Sequence, residues 1–275
     1  MSEEVNNNKK KVIVIKCGGS IINDFSELNI LSSTIASLKN IGFQIIVVHG
    51  GGADITKLCA RLKIESKFIN GQRKTTEDIL EATQMSLLGN INCNLVYQLN
   101  HANVLSIGLS GHDANLINAD FIDKEKLGFV GKVKQVNVTL LSNLLNIGVT
   151  PVIAPLGVDS SNNGNTYNIN ADLAAAEIAK AVNADQLILL SDIDGFYADI
   201  NDPKSLVSVL TTTQIQEMLN ENKVSGGMIP KLTACNIALS GKLASAHIIN
   251  GNNPEQLFTI AMNSNALVGT RIIRK

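Results

Sequence analysis

The chain has 275 residues, 45% of them apolar but only 4% aromatic, and a formal net charge of −1. That length can bury a large aliphatic core as one α/β domain or two lobes, and the dispersed basic residues argue against a nucleic-acid surface. Four scattered cysteines, with no C-x-x-C pair and no histidine at zinc spacing, suggest neither a disulfide framework nor a metal site, and no apolar run reaches the length of a membrane span. Reduced thiols in a cytoplasm and small charged metabolites as partners are the expectation. The polar stretch Met1–Lys11 is neither a signal nor a transit peptide and is expected to be a disordered tail.

Val12-Ile13-Val14-Ile15 reads as a strand buried on both faces, running into Lys16, Cys17, Gly18 and Gly19. Leu28, Leu31, Ile35 and Leu38 then recur at helical spacing over Ser26–Asn40, with Gly42 as the stop. Ile45-Ile46-Val47-Val48 repeats the strand and ends in His49-Gly50-Gly51-Gly52, ahead of a helix from Ala53 to Leu62. Strand, glycines and helix occurring twice within about fifty residues is what a parallel sheet with crossover helices produces. Gly71–Thr75 is a basic turn. The segment Thr76–His101 is expected to be one long amphipathic helix with Leu88, Ile91, Leu95 and Leu99 on its stripe, suited to core packing or to a homodimer seam.

Further strands are expected at Val104–Ile107, at Thr150–Pro155, at Leu187–Leu190, at Ala246–Ile249 and within Leu267–Ile273. Gly128–Asn137 suggests short strands in a hairpin, and Asp159–Gly164 a loop. Helices are expected at Leu140–Asn146, Leu173–Val182 and Thr213–Asn222, and after Gly226-Gly227, where Pro230 suits a first helical turn. The organisation is read as a tail (1–11), an N-terminal lobe (12–182) and a C-terminal lobe (183–275).

The common nucleotide signatures are missing: there is no G-x-x-x-x-G-K-[ST], no G-x-G-x-x-G at the first crossover, and no catalytic-loop or D-F-G set. Another cradle can be assembled from the residues present. Gly18, Gly19, Gly51 and Gly52 lie at the ends of two strands and lead towards helix N-termini, whose partial positive charge favours anions. Lys16 and Lys231 flank glycines far apart in the chain, and Arg73 offers a fork-shaped donor for a carboxylate. Such cations and amides suit phosphoryl transfer, where catalysis is mostly alignment and charge neutralisation. Asp172 is either a first-turn acid favoured by the helix dipole or a carboxylate holding two lysines. Asn168 and Asn170 alternate along an extended piece and so face one way, for a ligand or within a polar loop. His49, His101, His112 and His247 show no relay or metal spacing, and His49 is expected only to hydrogen-bond near the glycines.

The stretches Lys16–Ser20, Val48–Gly52, Asn70–Thr75, Leu109–Gly111, Val130-Gly131, Pro151–Pro155, Asn168–Asp172, Leu190–Asp192 and Gly226–Lys231, in that order, resemble the amino-acid kinase family over Lys16–Arg274. The Asn-Gly-x-Arg turn and the Asn-x-Asn-Ala-Asp segment are most similar to its acetylglutamate branch. The resemblance implies a three-layer αβα sandwich around a mainly parallel open sheet, and ATP-dependent phosphorylation of the side-chain carboxylate of N-acetyl-L-glutamate on the way to arginine. By matching positions, Lys16 and Lys231 would stabilise the transferring phosphoryl group and Asp172 would orient them. Gly51, Gly52, Arg73, Asn168 and Asn170 would hold the substrate, Arg73 through its α-carboxylate. Gly18 and Gly19 would bind phosphate. Asp192, Ile193, Asp194, Gly195, Phe196, Tyr197, Lys223, Val224 and Ser225 would border the nucleotide, with Mg2+ held through the ATP phosphates rather than by protein ligands. Cys17, His112 and Ala114 depart from the family pattern. A histidine missing after Asn250 and a short, polar N-terminal extension imply an arginine-insensitive homodimer. A kinase for a succinylglutamate- or aminoadipate-type acid, or a non-catalytic sensor of the same fold, are the alternatives.

Overall fold

The computed structural model describes residues 10–69, 71–159 and 164–275, so most of the tail, Asn70 and most of the Asp159–Gly164 loop lie outside the described residues. Its centre is an eight-stranded sheet in the order Val209–Thr211, Thr270–Ile273, Ser245–Asn250, Gln186–Ser191, Val12–Cys17, Gln44–His49, Thr150–Ala154, Ser106–Ser110. The last six strands of that order run parallel, and Thr270–Ile273 turns antiparallel to its neighbour. All six residues of Val12–Cys17 are buried. Val12 and Val14 feed the core on one face, and Ile13, Ile15 and Cys17 the core on the other. A strand covered by helices on both faces must be apolar throughout, as the sequence suggests. The strand taken as the start of a second lobe, Gln186–Ser191, pairs directly with Val12–Cys17, so the sheet is continuous across the expected lobe boundary.

Four short strands, Ile117–Phe121, Val130–Val136, Leu156–Asp159 and Thr166–Ile169, close into a small ring beside the sheet. The hairpin expected within Gly128–Asn137 is instead one strand, paired antiparallel with the earlier Ile117–Phe121. The basic turn before Thr75 is part of a second small hairpin, in which Phe68-Ile69 pairs with Gln72-Arg73.

The helical run Glu77–His101 is continuous, but its middle, Met85–Asn92, has the wider π-helical turn. The extra residue moves the phase of the stripe. Leu87 is buried with Ile91, Leu95 and Leu99, while Leu88 is only half-buried. The Ala171–Ala181 helix is capped by Asn170, whose Oδ1 accepts from the amides of Asp172 (2.9 Å) and Leu173 (3.2 Å). Its buried residues Ala174, Ala175, Ala176 and Ala179 give it a face of small side chains on which the Met228–Leu239 helix packs, bringing Lys231 to Asp172. Pro230 falls in the first turn of that second helix, as expected.

Candidate active site

The two central strands Val12–Cys17 and Gln44–His49 are paired in parallel register, Cys17 beside His49, so both glycine turns leave the sheet at the same edge. Carboxyl ends of neighbouring parallel strands are where an open α/β sheet offers a ligand crevice. A cleft of about 250 Å³ lies there, lined by Lys16, Gly19, Gly50, Gly51, Gly52, Arg73, Asn168, Asn170 and Asp172 among others.

Lys16, at the end of its strand, and Lys231, in the first turn of its helix, reach opposite oxygens of one carboxylate. Lys16 Nζ lies 3.0 Å from Asp172 Oδ1 and Lys231 Nζ 3.1 Å from Asp172 Oδ2. All three side chains are at most 15% exposed. Burial pushes the Asp172 pKa up, but the two ammonium groups overcome this and hold it below the usual carboxylate value. Burial, and then the repulsion of Lys16, lower Lys231 below the ordinary lysine value. Buried charges persist only when paired, and here two cations share the Asp172 carboxylate, with Lys16 and Asp172 lining the cleft and the Asp192 charge acting on Lys231 as well.

The glycines divide into two kinds. A Cβ at Gly19 or Gly52 would meet nothing within 4 Å, so their bareness is not demanded by packing and leaves the backbone open to the cleft. At Gly51 a Cβ would sit 2.4 Å from Ile91 Cδ1 and 2.6 Å from Leu87 Cδ2, so these two side chains of the π-helical segment would have to shift to admit one. Arg73 is buried, and its guanidinium donates to Gly52 O, Thr56 Oγ1 and Ser66 Oγ, each at 2.8 Å, while lying 4.7 Å from the Phe68 ring centroid. Burial lowers its pKa, yet a guanidinium stays cationic at neutral pH. Three of its five N–H groups are thus fixed by the protein, which holds the fork rigid at the cleft wall. Asn168 Nδ2 donates to Thr75 Oγ1 at 3.1 Å. Asn170 lines the cleft with its carbonyl oxygen committed to the helix cap.

Of the residues expected around a nucleotide, Asp192–Tyr197 follow the neighbouring strand Gln186–Ser191 and Lys223–Ser225 precede the Met228–Leu239 helix, and none of them lines this cleft. Asp192 links the two regions: its Oδ1 lies 4.0 Å from where a Gly18 Cβ would be, and its charge acts on Lys231. Asp194 accepts from Asn250 Nδ2 and from Tyr197 OH, both at 2.8 Å, which hold its pKa low. Phe196 and Val224 are buried, Phe196 with its amide donating to Thr270 Oγ1 at 2.7 Å; Ser225 is exposed, and Lys223 pairs with Glu221 at 2.6 Å. Gly195 is hemmed in by Thr270, whose Oγ1 would lie 2.5 Å from a Cβ.

The departures from the family pattern lie away from the cleft lining. Cys17 is fully buried, and desolvation lifts its thiol to about 12. His112 stands within hydrogen-bonding distance of Ser110 Oγ (3.2 Å) and Thr166 Oγ1 (2.9 Å), and Ala114 takes φ 50°, a conformation that suits glycine. Sequence reasoning missed Thr56, Ser66 and Thr75, which position Arg73 and Asn168. It also missed Asn92, visible only as a polar residue among the buried positions of the long helical run.

No histidine lines the cleft among the described residues. Fold and cleft together place lysines and glycine backbone at the carboxyl ends of a parallel sheet. The Amino acid kinase family profile matches residues 11–250, and the chain belongs to that family. It is 40% identical over 264 residues to the acetylglutamate kinase of Gracilaria tenuistipitata var. liui, with 96% of this chain and 92% of that protein covered. To the acetylglutamate kinase of Clostridioides difficile (strain 630) it is 39% identical over 265 residues, with 96% and 91% covered. The crystal structure of smu.665 from Streptococcus mutans UA159 matches with a TM-score of 0.82 at 30% identity, over 95% of this chain and 98% of that one.

Proposed function

We propose that this chain is an ATP-dependent acetylglutamate kinase, transferring the γ-phosphoryl group to the side-chain carboxylate of N-acetyl-L-glutamate in arginine biosynthesis. The observation that carries the reading is the Lys16–Asp172–Lys231 cluster at a glycine-lined cleft, in a chain similar to acetylglutamate kinases over 96% of its length.

A carboxylate is already ionised at pH 7 and needs no general base, which suits a cleft without one. One carboxylate oxygen attacks the γ-phosphorus, the bond to the β–γ bridging oxygen breaks, and ADP leaves with that electron pair. The obstacle is repulsion between two anions. Lys16 and Lys231, preset by Asp172, lower that repulsion at the oxygens of the transferring group, where charge accumulates. Gly19 and Gly52 let backbone amides approach, with Gly18 beside them, and Arg73 and Asn168 hold the acyl amino acid, Arg73 through its α-carboxylate. ATP lies towards Asp192–Tyr197 and Lys223–Ser225, in the 183–275 half, and the acyl amino acid in the 12–182 half. Both oxygens of Asp172 are engaged by lysines, and Mg2+ would be held through the ATP phosphates. Bound there it supplies neutralisation of phosphate charge. The enzyme acts in the cytoplasm as a homodimer. The four cysteines are free, and no described helix is long and apolar enough to cross a membrane.

An acyl-phosphate assay with MgATP, trapping product with hydroxylamine, tests this. Turnover of N-acetyl-L-glutamate well above L-glutamate, L-aspartate and N-succinylglutamate is expected. Preference for another acid would keep the chemistry and change the substrate, and ligand binding without any turnover would replace the enzyme with a sensor.

A further inference from the structure

We propose that His49 is a positioning residue for phosphoryl transfer: its Nδ1–H grips the carbonyl of Gly50 and thereby aims the N–H of Gly51 into the cleft. This rests on the kinase reading for its functional consequence, while the geometry itself does not.

His49 is fully buried at the end of its strand, directly before the three glycines. Its Nδ1 lies 3.0 Å from Gly50 O and its Nε2 3.0 Å from Asn92 Nδ2. The tautomer follows from the neighbours. Asn92 Nδ2 also lies 3.0 Å from Val152 O, an acceptor only, so the nitrogen of the amide must be on that side. Its second hydrogen then points at His49 Nε2, which must accept. The ring proton is left on Nδ1, where it donates to Gly50 O. Asn92 Oδ1 is held in turn against Gly108, where a Cβ would come within 2.0 Å of it. Burial draws the imidazole pKa down to about 4, so the ring is neutral and the arrangement persists at working pH.

The consequence passes through one peptide plane. No described peptide bond is cis, so the Gly50 carbonyl and the Gly51 N–H lie in one plane and point in opposite directions. The carbonyl is drawn to the imidazole beneath the loop, and the Gly50 amide is tied to Cys17 O at 2.9 Å. The Gly51 N–H therefore points away from the buried ring, to the side on which Gly51 lines the cleft with Lys16. Leu87 and Ile91 confine the glycine from the π-helical segment that also carries Asn92. A donor aimed in advance at developing negative charge is the arrangement that accelerates transfer without reorganisation.

The test compares three substitutions in the full-length enzyme with MgATP and N-acetyl-L-glutamate. His49→Asn places an amide nitrogen where Nδ1 stood and keeps the grip on Gly50 O; His49→Gln carries its amide to the Nε2 position and loses that grip; His49→Leu loses both contacts. The expected result is kcat within about threefold of wild type for His49→Asn and lower by roughly 10²-fold for His49→Gln and His49→Leu, with KM for ATP nearly constant. Equal losses in all three, or a loss of thermal stability alone, would make His49 a packing residue and overturn the proposal. Nitrogen-15 NMR of the wild-type imidazole gives a readout independent of turnover and of whether a variant folds. A neutral ring protonated on Nδ1 is expected, and a proton on Nε2 sinks the proposal even if the kinase is active. Absence of turnover in the wild type, with the Nδ1–H tautomer present, would count against the kinase reading instead.

Discussion

Two neighbouring strand ends in this molecule carry charge in opposite ways. At the ends of Val12–Cys17 and Gln44–His49, Lys16 and Asp172 are buried and Lys231 half-buried, and each lysine lies within 3.1 Å of an Asp172 carboxylate oxygen. One strand over, after Ser191, Asp194 is exposed and bonded to Tyr197 and Asn250, and Lys223, ahead of the Met228–Leu239 helix, is exposed and paired with Glu221. In the first region the low local dielectric makes each charge strong and each loss costly; in the second, water screens both. The first therefore suits the step in which charge moves, and the second suits a nucleotide that must come and go.

The sharpest break of this comparison is the removal of one lysine from each region. Lys231→Ala should lower kcat by about 10²- to 10³-fold with little change in KM for ATP, because the charge it supplies acts on the transition state. Lys223→Ala should raise KM for ATP only about two- to fivefold and spare kcat, as an exposed, screened pair does. Parallel losses of kcat would erase the distinction. pH separates the regions too. Lys231 is depressed below the lysine value of 10.5 by burial and by Lys16, so it loses its proton, and the enzyme its rate, as pH rises through that lowered value. A pH profile of kcat should fall on the alkaline side below 10.5, and Lys231→Arg should move that limb upward, since a guanidinium does not titrate there.

A smaller effect divides the glycines. Gly51→Ala should drive a methyl group into Leu87 and Ile91, costing about 1–3 kcal/mol, which lowers the melting temperature by several degrees. Gly52→Ala should leave the melting temperature nearly unchanged while weakening substrate binding, because its Cβ meets only the open cleft. Calorimetry beside initial rates reads both.

Much of the central architecture was legible because it is written locally. Four apolar residues followed by a lysine and glycines specify a buried strand with a ligand-side turn; Lys16 and Lys231 stood out beside glycines, whereas Asp172 kept two readings and its pairing with both lysines was implied only by the family resemblance. What escaped depends on contacts between segments with weak local signals. The ring of four strands joins pieces of four to seven residues whose partners lie in other loops, and no single stretch shows the closure. The shift of the helical stripe from Leu88 to Leu87 arises from a π-helical turn, which alternation of apolar residues does not reveal. The bond between His49 and Asn92 spans 43 positions and needs the fold to be seen. Asn170 had two readings, ligand contact or loop polarity, and its carbonyl oxygen took a third part, capping the helix that carries Asp172.

That cap provides the finest test of whether the charged cluster is special. Asn170→Ala and Thr211→Ala each remove a helix N-cap, the first beneath Asp172 and the second in the capping box of Thr212–Asn220 at the far edge of the sheet. Each should cost about 1 kcal/mol of stability, since the same lost bond to a first-turn amide is at stake. Their kinetics should differ. Loosening the first turn at Asp172 frees the carboxylate whose two oxygens set the spacing of Lys16 and Lys231, so kcat should fall several-fold beyond anything stability explains. The Thr211 variant has no such coupling and should keep its rate below the unfolding transition. Equal kinetics in two variants of equal stability would mean that the lysines are held by their own packing, with Asp172 a partner to their charge rather than the anchor of their positions.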